Sequence, residues 1–68
     1  MKNPVRLKKG WEAIYRINVE NNDIGMIVFE DPGGYGVCFG KEVGGHTCGG
    51  RCPSGFGQFI AKRYLEEV

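Results

Sequence analysis

No stretch of this sequence approaches the roughly 20 consecutive apolar residues of a membrane-spanning helix. The first ten residues are charged and lack the apolar core that a secretory signal needs. Those two absences point to a cytoplasmic protein without a membrane partner. Cysteine is scarce and odd in number, at three, which argues against a paired disulfide scaffold and for reduced thiols. There is one histidine, so a thiol or hydroxyl nucleophile has little choice of imidazole base. Charge is nearly balanced at +1, so bulk electrostatics does not point to nucleic acid. Repeats, internal linkers and paired carboxylates in a cleft are not visible either. These absences remove most enzyme classes and leave a non-enzymatic domain.

What is present is one small domain of 68 residues. At that length a chain buries only about 60% of the surface it exposes unfolded, so the core is thin. One tryptophan, three tyrosines and four phenylalanines are enough to fill it. Charge is unevenly spread. Residues 1–16 carry +4 through Lys2, Arg6, Lys8, Lys9 and Arg16 against Glu12, whereas residues 17–50 carry −4.

Hydropathy patterning predicts an α+β fold in the order β-β-β-α, a three-stranded antiparallel sheet packed on one C-terminal helix, with room for a fourth strand in front. Residues 1–10 form a basic arm or a short edge strand, with Val5 and Leu7 alternating against Arg6 and Lys8. Trp11, Ala13, Tyr15, Ile17 and Val19 fall on one face of a half-buried strand, with Glu12, Arg16, Asn18 and Glu20 on the other. Asn21-Asn22-Asp23 makes a turn, and Ile24–Phe29 a second strand. Asp31-Pro32-Gly33-Gly34 makes another turn, and Tyr35–Val43 a third strand. Phe56, Phe59, Ile60 and Tyr64 follow the stripe of an amphipathic helix over 56–67. The pairs Lys62–Glu66 and Arg63–Glu67 stand at i,i+4 on its surface.

A two-residue loop at Pro32-Gly33 puts Tyr35, Val37 and Phe39 on one face with Ile24, Met26 and Val28, whereas a three-residue loop with Gly34 in a bulge pairs them with Ile27 and Phe29; the first register makes all three strands consistent. The opposite face then carries Ile14, Ile27, Phe29 and Cys38 beside Gly25, Gly36 and Gly40. Large apolar groups beside glycines make a shallow exposed patch, the kind of surface that meets a partner. The competing reading folds Val5 and Leu7 over the patch within the same chain.

The Gly44–Cys52 segment is the least ordinary part of the sequence. With Cys38 it offers Cys38, His46, Cys48 and Cys52, a Cys3His set of the kind that holds structural zinc. The spacings His46-x-Cys48 and Cys48-x3-Cys52 match no paired knuckle, and Cys38 sits mid-strand, so convergence is not expected and no metal is assigned. A Cys48–Cys52 disulfide is the oxidised alternative. The same glycines and Arg51 resemble an anion cradle but lack the Lys-Ser/Thr ending of a phosphate loop. The loop from Gly44 to Gly55 is expected to be the most mobile internal segment.

The function these residues favour is a small binding or regulatory module acting by protein–protein contact. It fits an adaptor or inhibitor of the size that phages and other mobile elements carry. Its docking residues are Ile14, Ile27, Phe29 and Cys38, and its partner is another protein or a second copy of itself. The alternative is a metal- or nucleic-acid-binding domain that uses the Gly/Cys segment and the basic arm. No cofactor and no catalytic residue is assigned.

Overall fold

The computed structural model describes residues 2–11 and 13–68. Met1, at the head of the expected basic arm, and Glu12, expected on the polar face of the first strand, lie outside the described residues. Five strands form: β1 (Val5–Leu7), β2 (Gly25–Asp31), β3 (Gly34–Phe39), β4 (Gly57–Ala61) and β5 (Leu65–Glu67). A 3-10 turn over Lys62–Tyr64 joins the last two. All pairings are antiparallel, in the order β4-β3-β2-β1-β5.

The β2–β3 hairpin forms for the reasons its sequence offers. Asp31 pairs with Gly34 around a two-residue loop at Pro32-Gly33. The Asp31 carboxylate accepts the Gly33 N–H at 2.8 Å, the local bond that makes Asp a turn residue. Between Ile27 and Phe29 the register shifts at a bulge. Phe29 pairs with Gly36, but Ile27 pairs with Val37 and Met26 with Cys38. One extra residue reverses the facing of everything beyond it. Ile27 therefore turns toward the core and Met26 outward, the reverse of the expected facing, while Tyr35, Val37 and Phe39 face inward as expected.

The two edge strands of a flat five-stranded sheet would stand about 19 Å apart at about 4.8 Å per strand. β4 and β5 are those edges, and three residues of 3-10 turn, rising about 6 Å, connect them. The sheet must therefore curl until its edges approach. Its concave side holds the core of Val5, Leu7, Val19, Tyr35, Val37, Phe39, Val43, Ile60 and Leu65.

The expected C-terminal helix is absent; no α-helix occurs among the described residues, so the fold is a curled all-antiparallel sheet and not α+β. The spacing of Phe59, Ile60 and Tyr64 suits strand, turn and strand as well as it suits a helix. Ile60 points in and is fully buried, whereas Phe59 pairs with Gly36 on the outer side. A helix of about 12 residues is marginal alone. As two strands the same residues satisfy the open edges of β3 and β1, and that pairing decides the outcome. The expected helical ion pairs are replaced by Arg6–Glu66 and Lys62–Glu30.

Among the described residues of 11–20 the expected strand is also absent. Trp11, Ile14 and Arg16 donate their N–H groups to Lys8, Trp11 and Ala13 carbonyls, a run of turns. Arg16 takes a φ of 56°, which breaks any strand. Only the end of the expected face survives: Val19 is buried and Tyr15 and Ile17 are partly buried. The expected arm or edge strand is in fact interior. β1 pairs with β2 on one side and β5 on the other, with Val5 and Leu7 fully buried beneath it. Val5 and Leu7 are thus core residues and not a cover for the outer face.

Candidate functional site

The four residues expected to form one patch are divided by the fold. Ile14 is 45% exposed and lies in the turn segment between β1 and β2. Ile27 packs against the core. Phe29 and Cys38 remain on the outer side of the sheet, where Phe29 stacks on Phe59 with ring centres 6.0 Å apart. The Phe29 ring lies over Gly36, so that a Cβ there would run into it. The Arg51 guanidinium sits 5.0 Å above the same ring. Arg51, from the β3–β4 segment over residues 40–56, thus partly shields Phe29 from within the chain.

That segment is tied to the sheet at several points. Val43 is buried, its N–H donates to Gly55 O at 2.8 Å, and His46 and Gly57 exchange backbone hydrogen bonds at 2.7 and 2.8 Å. Cys38 is joined to Cys52, with Cα atoms 5.8 Å apart. Reduced thiols throughout, or a Cys48–Cys52 link, were the expectations. Cys48 is the free thiol, 1% exposed, and burial pushes its pKa up.

The most exposed aromatic surface lies at the other side of the molecule's corner, where the turn segment meets the 3-10 turn. Lys8 N–H donates to Tyr64 O at 2.8 Å, and Trp11 N–H donates to Lys8 O at 3.1 Å. This brings Trp11 onto Tyr64, with ring centres 4.8 Å apart. Tyr15 meets Tyr64 edge-on at 6.0 Å, and its Oη accepts the Ala61 N–H at 2.9 Å. Arg63 also lies on Tyr64, 4.9 Å from the ring centre, and donates to Tyr64 Oη at 3.1 Å. Trp11 remains 44% exposed, and Tyr15 and Tyr64 are partly exposed.

Sequence reasoning placed Trp11, Tyr15 and Tyr64 in the core, so it missed this surface. The signal was the Lys8-Lys9-Gly10 run just before Trp11, a polar turn composition that a buried strand seldom follows.

Beside it, Ala13, Ile17, Asn18, Val19, Glu20 and Lys41 line an open cleft of about 370 Å³. Lys41 there bonds Asp23 at 2.9 Å. The Glu20 N–H and the Lys41 ammonium together hold the Asp23 carboxyl below its ordinary value. No helix among the described residues is long and apolar enough to cross a membrane. Comparison with protein-family models, curated proteins and solved structures finds no match to this chain.

Proposed function

We propose that this chain is a non-enzymatic binding module that docks on a protein partner by taking a peptide segment across Trp11, Tyr64 and Tyr15. The observation that carries this reading is the exposed Trp11 ring, held on Tyr64 by backbone hydrogen bonds on either side. Trp, Tyr and Arg dominate the energetic centres of protein interfaces, and the two aromatics bring large contact area with few torsions to freeze. Here all three residue types occur within one surface, and it is anchored before any partner arrives, which lowers the entropy cost of binding.

Charge selects the segment. Arg6, Lys41 and Lys62 are engaged in ion pairs. Lys8 and Lys9 stand in the turn that presents Trp11, and Arg63 lies on Tyr64. A peptide with an apolar anchor next to an acidic residue complements that arrangement.

Selection from a displayed random-peptide library tests it, with wild type and Trp11→Ala as parallel baits. Wild type should enrich peptides sharing an apolar–acidic core, and Trp11→Ala should lose at least tenfold in affinity for them. No enrichment, or equal binding by both baits, overturns the reading. A short single-stranded oligonucleotide run alongside separates the nucleic-acid alternative. Oligonucleotide binding that collapses with added salt, with no peptide enriched, would replace a protein partner with a nucleic-acid one.

A further inference from the structure

Four side chains with metal-binding chemistry meet around Gly57. Cys38 is its register partner on β3, and His46 is its partner on the other side through a two-way backbone bridge. Directly opposed residues of an antiparallel ladder send their side chains to the same face. Cys38 and His46 thus flank Gly57 on the outer side of the sheet. Cys48 Sγ and Cys52 Sγ stand 2.5 and 3.2 Å from the point a Cβ on Gly57 would occupy. The two sulfurs are therefore no farther apart than the sum of those distances, and Cys38 is bonded to Cys52. Three sulfurs and an imidazole-bearing residue are arranged about one missing side chain.

The imidazole offers the right nitrogen. His46 Nδ1 accepts the Cys48 N–H at 2.9 Å, which sets that nitrogen beside the Cys48 segment; the hydrogen bond is given up when Nδ1 takes a metal. No group of three or more His, Cys, Asp or Glu among the described residues is set to hold a metal ion as the chain stands. The Cys38–Cys52 bond commits two of the three sulfurs.

We propose that reduction of the Cys38–Cys52 disulfide converts this cluster into a structural zinc site, with Cys38, Cys48 and Cys52 as thiolates and His46 through Nδ1. Two low-molecular-weight thiols supply the two electrons. The protein S–S bond breaks, Cys38 and Cys52 each gain a hydrogen, and the two thiols leave joined as their own disulfide. Zn²⁺ then displaces the protons of the three cysteine thiols, the Cys48 N–H lets go of His46 Nδ1, and the freed lone pair binds the ion. The resulting Cys3His set is a tetrahedral structural type, with Zn–S bonds of about 2.3 Å and sulfurs about 3.8 Å apart. Opening the disulfide lets the sulfurs separate to that spacing.

The unusual sequence spacing has a structural reason. Ligands in common zinc knuckles are presented by a tight turn, which fixes C-x2-C. Here Cys38 and His46 are presented by two rungs of a sheet on either side of Gly57, and only Cys48 and Cys52 share a turn. Gly57 has no side chain to fill the centre, and the sulfurs use the space.

The test is a Zn²⁺ titration of the full chain, reduced with a thiol that is then removed without air, followed by native mass spectrometry. Co²⁺ substitution reads the ligand set by its tetrahedral thiolate absorption. Wild type should bind one ion per reduced chain and none when oxidised, and zinc should raise the melting temperature of the reduced form. Cys48→Ser and His46→Ala should each weaken binding at least tenfold. His46 is exposed, so its replacement disturbs the core less than Cys48→Ser, and melting of each reduced variant shows which of them is folded when zinc is added. A reduced wild type that takes up no zinc overturns the proposal. So does zinc binding that neither replacement weakens.

Discussion

Arg6 and Glu66 are register partners across β1 and β5, and Arg6 Nε donates to Glu66 Oε2 at 2.6 Å. Sixty residues of sequence separate them. Both side chains keep more than a third of their surface in solvent, so the bond is worth little on its own. A double-mutant cycle with Arg6→Ala and Glu66→Ala should return a coupling of about 0.2–1 kcal/mol that weakens with added salt. Zero coupling would mean that solvent screens the pair completely and that the β1–β5 seam is held by its backbone ladder and buried side chains alone.

Ile60 and Phe59 are neighbours with opposite fates. Ile60 is fully buried and Phe59 only partly so, on the outer side. Ile60→Ala should cost about 2–5 kcal/mol in urea unfolding, and Phe59→Ala distinctly less. A helix using both in one buried stripe would make the two losses similar, and that result would contradict the strand.

Gly36 lies beneath the Phe29 ring. Gly36→Ala should destabilise by about 1–3 kcal/mol, as overpacking does. Phe29→Leu should recover part of that loss, so that the two changes are not additive. Additive losses measured by thermal unfolding would place the Phe29 ring elsewhere.

Asp23 gives the acid limb of stability a specific source. Its folded pKa lies below the unfolded value, held down first by the Glu20 N–H and then by Lys41. Stability from this group is present above the unfolded value of about 3.9 and is lost as pH falls through the folded value. Urea midpoints measured from pH 6 downward should therefore fall less steeply for Asp23→Asn than for wild type. Parallel profiles would show that Asp23 carries no such linkage.

The legible part of the fold is its local part. Asp31-Pro32-Gly33-Gly34 encodes its turn in two backbone preferences and one carboxylate, and the alternation of Tyr35, Val37 and Phe39 encodes the inner face. The illegible part depends on distant pairing. Whether residues 56–67 become a helix or two strands turns on the open edges of β3 and β1, far away in sequence. The bulge at Val28 adds one residue that no composition signal marks, and it moves Ile27 from the expected docking face to the core. The sulfur chemistry behaves the same way: Cys38 looked too remote from His46 until Gly57 was paired with both. Trp11 and Tyr64 looked like core residues because large aromatics usually are. Only the turn at Lys8-Lys9-Gly10 argued otherwise.

The docking reading stands most directly on Trp11, which is the one tryptophan of the chain and so gives one indole N–H resonance. Two-dimensional ¹H–¹⁵N spectra recorded while a library-selected peptide is added follow that resonance together with every backbone amide. Binding at the proposed surface shifts the Trp11 indole signal and the amides of Tyr15, Arg63 and Tyr64, with Met26, Phe29 and Phe59 unmoved. An unchanged indole signal, with the shifts gathered on Met26, Phe29 and Phe59, would place the partner on the outer face of the sheet and contradict the account.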